Sequence, residues 1–302
     1  MKIFIHPRSA GGSVWTKWKK AAPYLSKTEF ELIDISTRPL ESLTLEADET
    51  LVAAGGDGSL HELVNGLIRW KGLDGLAHYR VGHLGLGSNN SYLQPAREVS
   101  VFGGFPARIG PESKLQDIGE VEYADEVTGK ILKRYFVANA SLGLLAEANV
   151  KYNQAPSVQL LKRAAQGLAD EAAFFLAWKD LQPVELKLTR GGDAPQVETL
   201  TNLHLIKRPY FAGGFRVLDP PLPDDGKLGV YGLPWTSRAN VLKRFLKMAT
   251  LEDFSSAYRW KMEADVLRLE SSRKIPLEMD GEVIWGRDFT VRCRQKKMRA
   301  CL

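Results

Sequence analysis

The sequence predicts an α/β domain built on a parallel sheet, followed by an antiparallel β-sandwich domain. Three observations predict it. Up to residue 113, short apolar runs of strand length alternate with segments of helical period. Within that part, residues 50–67 read without a gap as strand, glycine turn and amphipathic helix. From about Lys114 the pattern changes to alternating strands separated by turn residues. Alternation of strand and helix argues for parallel strands with ligands outside their carboxyl ends, and a succession of strands argues for packed antiparallel sheets. A chain of 302 residues with 44% hydrophobic content can bury a large core and divide in two.

Lys2–Ile5 is the first predicted strand, closed by His6-Pro7. Arg8-Ser9-Ala10-Gly11-Gly12-Ser13 is a polar loop able to hold a phosphate, and it leads into a helix carrying Trp15 and Trp18. Phe30–Ile35 is a second strand, and Pro39–Leu45 a short helix. The uncharged run Leu51–Ala54 suits a strand buried on both faces. Leu60, Leu63, Val64, Leu67 and Ile68 then form one apolar helical stripe. Ser59 and Glu62 have capping-box spacing, which predicts a helix beginning at Ser59.

Between that strand and helix lie Gly55, Gly56, Asp57, Gly58 and Ser59. Glycines before a helix N-terminus let an anion reach backbone N–H groups without meeting a Cβ. An acid beside such a cradle calls for a cation between it and the phosphate. No Gly-Lys-Ser/Thr follows, and the spacing is not that of the dinucleotide fingerprint. A tight turn without ligand is the alternative reading of the glycines alone.

The run Gly55-Gly56-Asp57-Gly58-Ser59-Leu60-His61-Glu62-Leu63-Val64-Asn65-Gly66-Leu67 resembles the nucleotide-binding signature of the diacylglycerol kinase catalytic domain, shared by bacterial lipid kinases and sphingosine kinases. NAD kinases have a related Gly-Gly-Asp-Gly, so the resemblance implies an NAD-kinase-like parallel sheet. The continuation Glu62–Leu67 favours the lipid-kinase side. The resemblance also implies that Gly55, Gly56, Asp57, Gly58, Ser59, Leu60 and His61 bind ATP, with Asp57 acting through Mg²⁺. Ser36-Thr37 occupies a place where the family contacts nucleotide. The first loop is similar to the family's Asn-Pro-x-Ser-Gly, with His6 for the asparagine and Gly11 shifted by one.

Arg80–Tyr92 resembles the family's second loop, Pro-Leu-Gly-Thr-x-Asn-Asp-Phe-Ala-Arg. Gly87, Ser88 and Asn90 match its glycine, threonine and asparagine, while Ser91 stands at the aspartate and Gln94 at the arginine. Losing that acid is expected to weaken catalysis or change which substrate is positioned.

In the second half, Ile118–Tyr123, a turn at Asp125–Lys130 and Ile131–Ala140 read as a hairpin. Asn139–Glu147 is similar to the family segment entering the second domain. A helical stretch over Val158–Trp178 carries Leu160, Leu161, Leu168, Phe174, Phe175 and Trp178, expected to pack a core rather than face lipid. Pro183–Thr189 alternates and turns at Gly191-Gly192-Asp193; Gln196–Lys207, Leu228–Leu233 and Asp265–Glu270 continue the antiparallel theme. The stretch from Tyr210 through Phe215 and Pro220 to Leu228 resembles a family loop that binds structural magnesium, with Asp225 giving a carboxylate and Leu222 and Lys227 backbone oxygens. Asp-Asp-Gly is also an ordinary turn. Asp280-Gly281-Glu282 matches the family's Asp-Gly-Glu, making Asp280 or Glu282 the proton acceptor, although alone it reads as a hairpin turn. Phe289–Arg294 is a last strand, which in the family returns to the first domain. The expected domains are therefore 1–113 with 287–302, and 114–286.

A net charge of +5 and a sequence pI near 9.0 suit a phosphate-bearing partner. Arg292, Arg294, Lys296, Lys297 and Arg299 make the tail basic. No RNA-binding or helix-turn-helix pattern accompanies the charge, so no nucleic acid is expected. Cys293 and Cys301 have neither zinc nor disulfide spacing. No apolar run approaches the ~20 residues of a membrane span. The expectation is a cytoplasmic, ATP- and Mg²⁺-dependent lipid kinase, able to form a homodimer, that visits an anionic inner membrane face and phosphorylates a diacylglycerol-like hydroxyl. A catalytically weakened nucleotide or lipid binder, and an NAD kinase, remain as alternatives.

Overall fold

The computed structural model describes residues 1–26, 28–88, 90–94, 100–125, 128–164, 166–211, 215–217, 219–248 and 260–302. The chain forms two compact units, Met1–Ile118 with Gln295–Leu302, and Gly119–Arg294.

In the first unit, β1 (Lys2–Ile5), α1 (Ser13–Ala21), β2 (Glu31–Asp34), β3 (Thr50–Gly55), α2 (Asp57–Lys71) and β4 (Arg80–Gly85) alternate. Strands β2, β1, β3 and β4 lie side by side in that order, every pair parallel. All six residues of β3 are buried, as its uncharged sequence requires of a strand covered on both faces. One face packs Ile3, Ile5, Val52, Ala54 and Leu84 against Val14, Trp18 and Ala21 of α1. α2 packs on β3 and β4. β5 (Ser100–Phe102) and β6 (Phe105–Arg108) form a hairpin whose second strand runs antiparallel to β4. β7 (Ser113–Ala124) then leads out of the unit.

The second unit is mostly antiparallel. It contains β8 (Ile131–Phe136), β9 (Asn139–Gly143), α3 (Leu144–Gln154), α4 (Pro156–Ala164), α5 (Gln166–Asp180), β10 (Val184–Arg190), β11 (Gln196–Ile206), β12 (Tyr210–Phe211), β13 (Phe215–Arg216), β14 (Leu228–Pro234), α6 (Arg238–Met248), β15 (Trp260–Ala264), β16 (Val266–Met279) and β17 (Glu282–Cys301). β17 re-enters the first unit, where Arg299 and Ala300 pair in parallel with Arg80 and Val81 of β4.

The sandwich expectation meets a more continuous arrangement. β15, β14, β11, β10, β16 and β17 are neighbours in one hydrogen-bonded sheet. β9 also pairs with both β11 and β16, beyond the point where each irregular strand leaves β10. Val121, Tyr123 and Phe136 from β7 and β8 share a core with Val230 of β14 and Leu267 of β16, so the sheet curves over one interior. A second core joins Leu144, Ala177, Leu181, Ile206, Tyr231, Leu233 and Val241, packing α3, α5 and α6 on the strands.

Several local expectations change. α2 starts at Asp57 with Gly56 as N-cap and no side-chain cap, so the Ser59–Glu62 capping box does not form. The helix expected at Pro39–Leu45 is a single 3₁₀ turn over Leu40–Ser42. Ile131–Ala140 is two strands, and Val158–Trp178 is divided between α4 and α5. Phe174 and Trp178 pack on a core, but Leu160, Leu168 and Phe175 are exposed. Residues 126–127 of the expected turn and 212–214 of the expected metal loop lie outside the described residues.

Candidate phosphate-binding site and flanking loops

Parallel strands put all their carboxyl ends on one edge. From that edge of the first unit leave the segments His6–Gly12 after β1, Ser36-Thr37 after β2, Gly55–Ser59 after β3 and Leu86–Ser88 after β4. The last two touch backbone to backbone. A Cβ added to Gly87 would lie 2.3 Å from Gly56 Cα, and one added to Gly55 would lie 2.0 Å from Ser59 Oγ. No other residue can pass so close. The Leu86 amide donates to the Gly55 carbonyl at 2.8 Å.

Asp57 locks this contact. Its Oδ2 accepts the Ser91 amide at 2.7 Å and its Oδ1 the Tyr92 amide at 3.1 Å. Both carboxylate oxygens thus hold the second loop, a task invisible in the motif. Asn90, in the left-handed region at φ 47°, accepts the Gly87 amide and donates to the carbonyls of Gly85 and Gly87. Ser91, standing where the family has an acid, is buried. Lys17 of α1 donates from Nζ to the carbonyls of Leu86 at 2.9 Å and Gly87 at 3.2 Å. Burial lowers its pKa. Sequence reading missed Lys17 because one lysine beside Lys19 and Lys20 looks like a solvated helix face.

The other expected residues separate by exposure. Ser88, Ser36 and Thr37 are exposed and Gly58 and Ser59 half-buried. Leu60 and His61 are buried, so only their backbones are available to a ligand. Ser36 is fixed by Asp34, whose Oδ1 accepts both the Ser36 amide at 2.9 Å and hydroxyl at 2.6 Å. Among the described residues no group of three or more His, Cys, Asp and Glu side chains is assembled for a metal ion. What the edge does present is the first turn of α2, the positive end of its helix dipole, where the Ser59 and Leu60 amides donate to the Gly56 carbonyl.

In the second unit the two acids of Asp280-Gly281-Glu282 differ sharply. Asp280 is 4% exposed and sits at φ 49°. Its Oδ2 accepts the Val137 amide at 2.7 Å, and its Oδ1 accepts those of Ala138 at 2.9 Å and Asn139 at 3.1 Å. It is the anchor of the β8–β9 connection, its carboxylate holding three backbone amides. Glu282 is exposed. Glu278 supports the turn, accepting the Gly281 amide at 2.7 Å and the Ser141 hydroxyl at 2.9 Å.

Leu222, Asp225 and Lys227 do converge, with Leu222 and Lys227 contributing carbonyl oxygens and Asp225 a carboxylate; the buried ammonium of Lys207 lies at their centre. The basic tail is largely paired. Arg294 donates to Glu120 at 2.8 and 3.0 Å, Arg292 reaches Glu122 at 3.2 Å, Lys297 reaches Asp74 at 2.6 Å, and Arg299 pairs with Asp48. Burial raises the Glu120 carboxyl, but Arg294 and Lys133 outweigh it and hold the pKa low.

The family model of the diacylglycerol kinase catalytic domain matches residues 1–102. The chain is 25% identical to the diacylglycerol kinase of Bacillus subtilis (strain 168) over 260 residues, covering 82% of this chain and 75% of that protein. It is 25% identical to the diacylglycerol kinase of Staphylococcus aureus (strain bovine RF122 / ET3-1) over 294 residues, covering 93% and 85%. The fold is similar to that of a diacylglycerol kinase from Bacillus anthracis str. Sterne, with TM-score 0.64 and 12% identity over 99% of this chain and 95% of the other. A second structure from that organism gives 0.67 and 16%, over 99% and 96%. The catalytic-domain match and the diacylglycerol kinase relatives support a lipid kinase. More particularly, residues 1–102 match the model of the diacylglycerol kinase catalytic domain, and the similar proteins are diacylglycerol kinases.

Proposed function

We propose that the chain transfers the γ-phosphoryl group of ATP, with Mg²⁺, to the hydroxyl of a diacylglycerol-like lipid. The observation carrying this reading is the Asp57 clamp, which holds two glycine loops in backbone contact beside the N-terminus of α2. Such an edge suits a polyphosphate because its walls are backbone and its donors are N–H groups. The phosphates would lie along Gly55–Ser59, Gly87 and Ser88, with Ser36 and Thr37 toward the rest of the nucleotide. Lys17 would add positive charge. Mg²⁺ would come with the phosphates and neutralise them, in keeping with its habit of keeping water and taking few protein ligands. The likeness of the parallel sheet to that of NAD kinases belongs to the same proposal.

In the reaction the lipid hydroxyl oxygen bonds to the γ-phosphorus, the bond from that phosphorus to the bridging oxygen breaks, ADP leaves, and the hydroxyl proton goes to a base. Of the two acids, Glu282 is the better acceptor, since Asp280 is already bound by three amides. No helix among the described residues is long and apolar enough to cross a membrane. In this reading the protein reaches its substrate by reversible contact with an anionic surface.

The test is a panel of lipids with radiolabelled ATP and Mg²⁺, with NAD as a counter-substrate. A labelled lipid of the diacylglycerol type is expected. Labelled NADP without labelled lipid would transfer the reading to NAD kinase. Nucleotide binding without any turnover would favour the weakened relative, for which the buried Ser91 at the acid position is the specific support.

A further inference from the structure

Lys207 follows directly on β11, and its side chain is only 1% exposed. An ammonium is seldom buried unless oxygens surround it. Here Nζ donates to the Leu222 carbonyl at 2.7 Å, the Lys227 carbonyl at 2.7 Å and Asp225 Oδ1 at 2.8 Å. Three donors thus meet three oxygens, the full capacity of a lysine head. The loop is wound to present them. Asp225 Oδ2 accepts the Leu222 amide at 2.7 Å, and Oδ1 the Lys227 amide at 2.9 Å, which turns both peptide units so that their carbonyls face the same point. Gly226, at φ 78°, makes the turn between them. Burial raises the Asp225 carboxyl, but Lys207 and the two amides outweigh it and lower its pKa.

These are the residues that the family resemblance assigns to a structural magnesium, and the fit fails for a physical reason. Mg²⁺ requires six oxygens near 2.0–2.1 Å, whereas the oxygens here stand at charge-assisted N–H···O distances around a positive nitrogen. An ammonium and a dication cannot share one centre. We propose that the Lys207 ammonium takes the part of the divalent cation in the 222–227 loop, so that this unit carries its own covalently attached cation and folds without a bound metal there. The electrostatics agree. One carboxylate balances one ammonium, while a dication with the same single carboxylate would leave an uncompensated positive charge. Such a cation cannot be removed by chelators or exchanged.

The proposal goes beyond the kinase reading and is tested without turnover, on the nucleotide-free full chain. Thermal unfolding is followed in EDTA and in millimolar Mg²⁺, Ca²⁺ or Mn²⁺, for wild type, Asp225→Asn, Lys207→Met and Lys207→Met with Asp225→Asn. The wild-type transition should be the same in EDTA and in each metal. Lys207→Met should unfold on the order of 10 °C lower in EDTA, because it leaves a partly buried carboxylate and two carbonyls without their cation. A divalent ion should recover part of that loss in the single variant and none in the double one. A wild-type transition that falls in EDTA, and loses this sensitivity with Asp225→Asn, would overturn the proposal. So would a Lys207→Met protein as stable as wild type in EDTA, or one that no divalent ion rescues. If Lys207→Met does not fold, the wild-type comparison with Asp225→Asn still decides it.

Discussion

Replacing Asp57 by alanine tests the clamp most directly. The motif alone suggests a solvent-facing acid whose loss spares the fold, but the structure gives both its oxygens to the amides of Ser91 and Tyr92, at 2.7 and 3.1 Å. A hydrogen bond to a charged acceptor contributes about 1.5–3 kcal/mol. Asp57 is half-buried, so the lower part of that range applies, and two such bonds give about 3 kcal/mol. For a unit of this size that corresponds to a drop of roughly 10 °C in its unfolding temperature. Asp57→Asn keeps one oxygen acceptor and should lose about half as much. Differential scanning calorimetry of the nucleotide-free protein measures this, with hydrogen exchange at the Ser91 and Tyr92 amides as a local probe. Both amides should exchange faster in the alanine variant. An unchanged melting curve with unchanged protection would refute the clamp and return Asp57 to a purely ligand-facing role.

The two acids of the 280–282 turn should separate in kind: Asp280→Asn should lower the unfolding temperature, while Glu282→Gln should leave it unchanged and cut turnover by about a hundredfold or more. Equal turnover in Glu282→Gln and wild type would remove Glu282 as proton acceptor. Gly87→Ala must push a methyl group to 2.3 Å from Gly56 Cα, so ATP-analogue binding by calorimetry should be lost or the unit destabilised; normal binding in a normally stable variant would contradict the packing. His204 is fully buried and its pKa is pushed down to about 3 by desolvation. Between the unfolded value near 6.5 and that folded value, only the unfolded chain takes up the proton, so stability is lost as pH falls through this window, by about 1.4 kcal/mol per unit at most. Urea unfolding at stepped pH should show the slope, and His204→Phe should flatten it.

The strand, glycine turn and helix at residues 50–67 were legible because period and composition agree there. The helix start was not, because the Ser59–Glu62 spacing imitates a cap while Gly56 supplies the N-cap without any side chain. Residues 131–140 look like one strand since nothing local shows that Asp280, far along the chain, draws the amides of Val137, Ala138 and Asn139 away from a ladder. β16 runs from Val266 to Met279, well past the expected strand end at Glu270; the irregularity between Glu270 and Ile275 absorbs Ser271–Lys274 and lets pairing resume. The two glycine loops could be matched by resemblance, but what joins them could not. Asp57 reaches across 34 positions to Ser91, and Lys17 across 69 to Leu86. Lys207 gave no signal, because a lysine after a strand is ordinarily solvated and the oxygens that enclose it lie 15 to 20 positions away.

The pairing of Arg299 and Ala300 with Arg80 and Val81 sets an order of events during synthesis. β6 covers His83 and Leu84 early, but Arg80 and Val81 of β4 receive their β17 neighbour only after residues 119–294, an entire second unit, have been translated. Until then one edge of Arg80 and Val81 stays open while the chain grows, a standing invitation to strand addition by another nascent molecule. The second unit, contiguous in sequence, has no such wait. Slow translation through residues 119–294 therefore prolongs exposure of the N-terminal unit, and the protein's solubility on expression should depend on elongation speed and chaperone supply more than its equilibrium stability would suggest.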